Sequence, residues 1–144
     1  MSVEKNYHLM FTDLKECAVT SIYNIAKVDH LWSVTRQDET AGFDLLRKLC
    51  SQLSECYNLP IPSLKKGSYE CYWIPGEHIE LPKVSLVSFL HEYRHHMQKY
   101  NMQHYPDKEV DARAWSISCF YRTLPEDFDK AWREHKIWFM SPHP

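Results

Sequence analysis

Prolines divide this sequence of 144 residues into blocks, because glycine, with only three residues, marks few turns. Each proline fixes its own φ and disfavours helical structure in the residue before it. The prolines that bound the main blocks are Pro60, Pro62, Pro75, Pro82, Pro106 and Pro125. No internal repeat, low-complexity tract or linker separates the blocks. The sequence therefore predicts a single domain over residues 1–144.

Four helices are predicted from apolar residues that recur at helical spacing. Each is supported by a capping residue or by a proline at one end. The helices run from Asp38 or Thr40 to just before Pro60, from about Val84 to Tyr100, from Asp107 to about Arg122, and from Pro125 toward Trp138. Helix is thus the main element of the C-terminal half.

The remaining segments are extended or ambiguous. Residues 69–73 and 78–81 are short and are separated by a Pro-Gly turn signal, which predicts a hairpin or two sheet strands. Residues 7–11 fit a strand, whereas residues 18–28 fit either a strand or a short helix. The pair at 65–66, both lysines, is expected in a loop. Together with the helices, these segments predict an α+β domain.

Composition excludes several classes of protein. The 17 basic and 19 acidic residues give a net charge of −2, which argues against a nucleic-acid module with a basic face. No apolar run approaches the ~18 residues that predict a membrane span. The N-terminus lacks the pattern of a secretory signal, so we expect a cytoplasmic protein. Its five cysteines contain no Cys-x-x-Cys pair and are expected to be reduced and mostly buried.

The helix predicted near residues 84–100 carries the clearest chemical pattern. His91 to His95 read His-Glu-x-x-His. Residues four apart on a helix differ by only about 40° around the axis and about 6 Å along it, so both histidines can bind one metal ion. Glu92 lies about 100° from His91 and about 60° from His95. This position borders the metal and suits a base that acts on metal-bound water.

The helical wheel separates this motif from the apolar face of the same helix. The apolar face is about 100° wide and is expected to pack on the core, while the motif lines a cleft. The apolar face consists of Leu86, Phe89, Leu90, Tyr93, Met97 and Tyr100. With nine histidines and eleven glutamates in the chain, the motif is expected by chance about 0.04 times. In the alternative interpretation the histidines are ordinary residues, and Glu92 pairs with Lys99 or Arg94.

A catalytic zinc site needs a third protein ligand and an open fourth position for water. The downstream candidates are His104, Asp107, Glu109 and Asp111. The predicted wheel groups Asp111, Ser118 and Arg122 in a solvent stripe, with Glu109 about 160–180° away. An acid opposite the solvent stripe needs a partner, which the two histidines would supply through the metal. Glu109 is therefore favoured, with His104, Asp107 and Asp111 kept as alternatives.

The sequence His91-Glu-Tyr-Arg-His95, followed by Glu109-Val-Asp-Ala112, resembles the gluzincin type of zincin metallopeptidases. It is most similar to the small ImmA/IrrE-like group, over about residues 77–120. The resemblance implies that His91, His95 and Glu109 bind Zn²⁺, that Glu92 is the catalytic base, and that Ala112 lets the second helix approach. An SprT-like arrangement would instead use His104 as the third ligand.

The resemblance also implies a minimal zincin-like domain. In such a domain a small sheet or hairpin packs on the metal helix, and further helices follow at the C-terminus. The strand before that helix corresponds here to residues 77–81, and its edge is expected to hold a peptide substrate. Tyr105 is a candidate oxyanion donor, Arg113 a candidate for orienting Glu109 or a substrate carbonyl, and His96 an expected structural residue.

The sequence thus predicts a cytoplasmic zinc metallopeptidase that acts on a protein or peptide substrate. The alternative is a zinc-binding regulatory protein that has kept the metal site and lost catalysis. A metal-free helical interaction domain is the third hypothesis. No nucleic-acid or membrane partner is expected, and no oligomeric state is predicted.

Overall fold

A computed structural model describes residues 14–100, 107–134 and 136 of the chain. Within these ranges, six α-helices and a three-stranded sheet form an α+β fold, which confirms the predicted class. The elements are α1 (Glu16–Tyr23), α2 (Leu31–Gln37), α3 (Glu39–Tyr57), β1 (Ser63–Lys66), β2 (Cys71–Trp73), β3 (His78–Leu81), α4 (Leu86–Tyr100), α5 (Lys108–Thr123) and α6 (Pro125–Arg133). The strand predicted at residues 7–11 and the end of the last helix near Trp138 lie outside the described residues.

The first part of the described chain is entirely helical. A π-helical turn, Asn24–Val28, continues α1, which settles the predicted choice between strand and helix in favour of helix. Helix α2 follows and was not predicted. Ala18, Ile22 and Ile25 are fully buried in the core, so packing stabilises this short helical region.

Helix α3 begins where the sequence predicts it. The Asp38 carboxylate accepts hydrogen bonds from the backbone N–H groups of Thr40 (3.0 Å) and Ala41 (3.3 Å), so Asp38 is the N-cap. At its other end, Asn58 adopts the left-handed conformation and closes the helix before Pro60. The buried face of α3 consists of Phe43, Leu46, Leu49 and Leu53. Burial of each such side chain contributes about 1.5–3 kcal/mol.

The sheet has the strand order β1-β3-β2. Strands β2 and β3 are antiparallel, with Cys71 opposite Glu80, which confirms the predicted hairpin. Strand β1 runs parallel to β3, so the expectation of a loop at Lys65 and Lys66 is wrong. This strand was missed because Leu64 is its only buried residue.

The position of β3 corrects the expectation that its edge is open for a substrate. Ile79 and Leu81 are fully buried, and β3 pairs on both sides, with β1 and with β2. Both of its edges are therefore occupied. Among the described strands, β2 is the edge strand that lies next to helix α4 and the candidate site.

Helix α4 packs mainly against α5 and also contacts β2 and β3. Its predicted apolar face is buried, except that Tyr100 is 37% exposed at the last turn. Ala112 and Trp115 on α5 are fully buried, as is expected of a small residue and a core tryptophan between packed helices. The fold thereby places the His-Glu-x-x-His motif of α4 beside the first turn of α5.

The predicted solvent stripe of α5 is not observed. Ser118 is 1% exposed, and the Asp111 side chain is turned toward the buried guanidinium of Arg94. The prediction failed because α5 contacts α1, α4 and α6 and is therefore covered on several faces. Arg122 is the most exposed of the three stripe residues, and it pairs with Glu16.

The cysteines also differ from the prediction that all of them are reduced. Cys17 on α1 and Cys56 on α3 form a disulfide, whereas Cys50, Cys71 and Cys119 are free thiols. The pairing depends on how α1 packs against α3, which the spacing of cysteines in the sequence does not reveal. Disulfides are rare in cytoplasmic proteins, so this pair counts against a reducing environment. Among the described residues, no helix combines the length and apolar character needed to cross a membrane.

Candidate metal centre

Two helices bring three possible metal ligands together. His91 and His95 lie on α4 and Glu109 lies on α5, with one donor atom of each within 4.8 Å of the others. The Nε2 atom of His91 is 2.7 Å from Oε1 of Glu109, and Nε2 of His95 is 3.1 Å from Oε2. These are the three residues that the sequence favoured.

Local structure explains how each side chain reaches the centre. The spacing of four residues on α4 places the two imidazole rings edge to face, with their centroids 5.1 Å apart. On α5, Asp107 is the N-cap and accepts hydrogen bonds from the backbone N–H groups of Glu109 and Val110, each at 3.0 Å. The cap fixes the first helical turn, from which the Glu109 side chain extends toward α4.

The donor set fits a zinc ion. Two imidazole nitrogens and one carboxylate oxygen form a known type of catalytic zinc site with three protein ligands. Tetrahedral coordination at about 2.0–2.1 Å separates neighbouring ligand atoms by about 3.3 Å. The observed separations of 2.7 and 3.1 Å between Glu109 and the two histidines differ from this value by a few tenths of an ångström. All three donor atoms lie within 4.8 Å of one another, so they can face a single ion.

The alternative carboxylates have other partners. Asp107 caps α5, and Asp111 accepts hydrogen bonds from Nε (2.8 Å) and Nη2 (3.3 Å) of Arg94. Neither of them belongs to the cluster of donor atoms. His104 and the candidate oxyanion donor Tyr105 lie outside the described residues.

Glu92 is buried beside the cluster without belonging to it. Its carboxylate oxygen Oε2 is 4.0 Å from Nε2 of His91, and its side chain is 7% exposed. Burial, reinforced by the negative charges of Glu109 and Glu70, raises the pKa of Glu92 to about 8. This position matches the one predicted for a base.

The cations that the alternative interpretation assigned to Glu92 bind other residues. Lys99 donates to Glu77 at 2.7 Å, and Arg94 binds Asp111. The Glu92 carboxylate therefore forms no ion pair with Lys99 or Arg94. The two pairings that the sequence suggested for Glu92 are thus not observed, and its carboxylate lies beside His91 instead.

His91 is the more buried of the two histidines, with 8% of its side chain exposed against 19% for His95. Burial lowers the pKa of His91, while the carboxylate of Glu109 opposes this effect. A lowered pKa favours the neutral imidazole, which is the form that binds a metal ion. The environment of His91 is therefore compatible with ligation.

A cleft of about 560 Å³ opens beside the cluster. Strand β2 forms one wall through Cys71 and Tyr72, and Ile74 extends this wall beyond the strand. The lining also includes Glu92 and two of the candidate ligands, His95 and Glu109. The cleft thus connects the edge strand with the candidate metal ligands.

His96 is a structural residue, as expected. Its Nε2 donates to the backbone oxygen of Pro60 at 2.7 Å, and its Nδ1 lies 2.7 Å from the hydroxyl of Tyr72. Since Nε2 carries the proton in the neutral ring, Nδ1 accepts from Tyr72. His96 is fully buried, and it joins β2 to α4 close to the cleft.

Gln98 was not predicted from the sequence as part of the site. Gln98 contacts His95, Asp111 and the backbone of Lys108, and it is 6% exposed. The sequence feature that could have identified Gln98 is its position three residues after His95, which places it on an adjacent part of the same helical face. Polar residues in that position can orient a metal-binding histidine.

No family model, no curated protein and no solved structure matches this chain. The resemblance to gluzincin-type metallopeptidases thus rests on the motif residues. The fold and the cluster define an α+β protein with a candidate centre of two histidines and one glutamate.

Proposed function

We propose that the protein is a zinc-dependent metallopeptidase. One observation carries the proposal: His91, His95 and Glu109 converge within 4.8 Å, with the buried Glu92 beside them. In this arrangement two imidazoles and one carboxylate would hold Zn²⁺, and Glu92 would stay outside the set of ligands. The resemblance of the motif to gluzincin-type sites supports the same assignment.

A zinc ion bound here would lower the pKa of the attacking water toward about 7 and polarise the scissile carbonyl group. Glu92 acts as the general base and accepts a proton from the water as its oxygen attacks the carbonyl carbon. When the C–N bond breaks, Glu92 delivers that proton to the leaving nitrogen. Burial and the charges of Glu109 and Glu70 raise the pKa of Glu92 to about 8 without a metal, and the positive charge of a bound zinc ion would favour the ionised carboxylate that a general base requires.

The cleft supports a peptide as the substrate. Strand β2 lines one wall and, among the described strands, pairs with β3 alone, so its other edge can offer backbone donors and acceptors to an extended chain. Recognition through backbone hydrogen bonds is consistent with the small net charge of −2. We therefore assign the cleft to a peptide or an unfolded protein segment.

The substitution Glu92→Gln tests the mechanism. We expect the variant to retain zinc and to lose peptide hydrolysis by a factor of at least about 100, because the general base is absent while all three ligands remain. Zinc content is measured by atomic emission, and hydrolysis with a library of quenched fluorescent peptides. Glu55→Gln, which changes an exposed glutamate on α3, is the matched control.

Three outcomes separate the hypotheses. Full hydrolysis by the Glu92→Gln protein would overturn the mechanism, and a wild type that binds no zinc would overturn the proposal. A wild type that holds zinc but cleaves neither the library nor denatured proteins would support a regulatory zinc protein instead. A cytoplasmic location stays a prediction, against which the Cys17–Cys56 disulfide stands.

A further inference from the structure

The side chain of Gln98 is held in one orientation by two acceptors. Its Nε2 donates to the backbone oxygen of Lys108 at 2.9 Å and to Oδ2 of Asp111 at 2.8 Å. Both partners only accept, so they identify the amide nitrogen of Gln98 and leave its oxygen on the opposite side. That oxygen, Oε1, lies 2.8 Å from Nδ1 of His95.

This orientation determines which nitrogen of His95 is available to a metal ion. An amide oxygen only accepts, so Nδ1 of His95 carries the hydrogen that it donates to Gln98. A neutral imidazole has one N–H group, and its other nitrogen, Nε2, then presents a lone pair. Nε2 faces Oε2 of Glu109 at 3.1 Å. The lone pairs of these two atoms therefore point toward the same place, where both could bind one cation.

The orientation of Gln98 is in turn anchored in the core. Asp111 is bound by Nε and Nη2 of Arg94, whose side chain is 2% exposed. The guanidinium of Arg94 also lies over the ring of Trp115, 5.4 Å from its centroid. Rotation of the Gln98 amide would place its oxygen against Asp111 and the Lys108 carbonyl, so the surrounding structure opposes it.

We propose that Gln98 is a positioning residue that fixes the ring orientation and the tautomer of His95 for metal binding, with Asp111 and Arg94 holding Gln98 in place. The proposal rests on the metal centre of the proposed function. A rotated amide would turn its nitrogen toward Nδ1 of His95. The proton of the neutral ring would then move to Nε2, the atom that faces Glu109, where it would compete with the ion.

The experiment compares zinc binding by the wild type and by Gln98→Met, which keeps the length of the side chain and removes its hydrogen bonds. The probe is Zn²⁺ alone, titrated against a chelator of known affinity. We expect the variant to bind zinc about 10- to 100-fold more weakly. The matched control is Gln52→Met, on α3 and outside the cluster, with affinity equal to that of the wild type.

A second measurement uses the zinc-loaded wild type and needs no variant. Long-range ¹H–¹⁵N spectra of the histidine rings report which nitrogen of His95 carries hydrogen. We expect an Nδ1–H signal protected from exchange, and the same signal to exchange faster in the zinc-loaded Gln98→Met protein. A merely structural role for Gln98 would lower the melting temperature of the metal-free protein without changing this signal.

The outcomes distinguish the two proposals. A wild type that binds zinc while Gln98→Met binds it equally well would overturn the role of Gln98 and leave the metallopeptidase proposal standing. Hydrogen on Nε2 of His95 in the zinc-loaded wild type would overturn the role of Gln98, even if the variant does not fold. A wild type that binds no zinc would overturn both.

Discussion

The Oε1 atom of Glu109 lies 2.7 Å from Nε2 of His91, although 18 residues separate the two in the chain. The contact depends on the packing of α4 against α5. The ion pair of Arg94 with Asp111 also joins these helices, as does the hydrogen bond from Gln98 to the Lys108 carbonyl. The links that stabilise the helix pair thus also set the geometry of the candidate centre.

Substitution of the two acids of α5 should affect metal binding and stability to different degrees. The Glu109 side chain is 50% exposed, so Glu109→Ala is expected to lose zinc with little effect on unfolding of the metal-free protein. Asp111→Ala removes two hydrogen bonds to the buried guanidinium of Arg94 and should destabilise the metal-free protein by about 2 kcal/mol. Zinc content and urea unfolding of metal-free protein measure the two effects.

His104→Ala completes this series, because His104 is the alternative third ligand from the sequence. We expect this variant to retain zinc at the level of the wild type. Loss of zinc in His104→Ala together with retention in Glu109→Ala would assign the third ligand to His104 and contradict the cluster.

Tyr72→Phe should loosen the wall of the cleft. The substitution removes the hydrogen bond to Nδ1 of His96, which joins β2 to α4. We expect a loss of about 1 kcal/mol in the free energy of unfolding and a rise in KM that exceeds the fall in kcat. Tyr69→Phe is the matched control, since Tyr69 is 77% exposed. Equal values of KM for the two variants would argue against a role for β2 in substrate binding.

The disulfide should contribute substantially to stability. It closes a loop with a sequence separation of 39, and loop entropy then predicts about 4 kcal/mol. The double substitution Cys17→Ser and Cys56→Ser should lower the unfolding free energy by an amount of that order. Denaturant unfolding measures the loss, and Cys71→Ser is the control. Mass spectrometry of the protein labelled without reductant should find three free thiols, and five labelled thiols would contradict the disulfide.

The thiol of Cys50 should make stability depend on alkaline pH. Burial raises the pKa of Cys50 to about 12 from its ordinary value of about 9. The unfolded chain therefore releases this proton at lower pH than the folded protein does, so stability falls as the pH rises above about 9. Cys50→Ala should lose less stability than the wild type between pH 8 and pH 10, as measured by urea unfolding. Equal losses would show that Cys50 does not titrate differently in the two states.

The reactivity of the three free thiols should also depend on how deeply each is buried. Cys50 and Cys119 are buried, whereas Cys71 is half-buried at the wall of the cleft. Iodoacetamide should therefore modify Cys71 first in the native protein, although burial and the nearby carboxylates raise its pKa and slow the reaction. Peptide mapping after timed labelling gives the order, and prior labelling of Cys50 would contradict the packing of α3.

Much of the local structure is predictable because it is encoded by neighbouring residues. Asp38 and Asp107 cap their helices in the way that their short acidic side chains predict. The Pro-Gly turn between β2 and β3 gives the antiparallel pair. Strand β1 was not predictable in this way, because its partner β3 begins 15 residues after it and the pairing is parallel.

The prediction of Glu109 shows what the pattern of residues along one helix cannot determine. The sequence selected Glu109 partly because Asp111 was assigned to a solvent stripe, whereas the structure places Asp111 against Arg94. Glu109 nonetheless joins the cluster, while its side chain is half exposed. A helical wheel gives the angle between two residues of one helix, but it does not show which of the surrounding elements covers each face.

The sequence by itself determined that His91 and His95 share one face of a helix with Glu92 beside them, because the α-helix has a fixed rise and a fixed turn per residue. Only the tertiary structure decided which carboxylate meets the two histidines and which side chain orients His95. Those choices depend on the position of α5 along α4, and side chains of both helices set that position together.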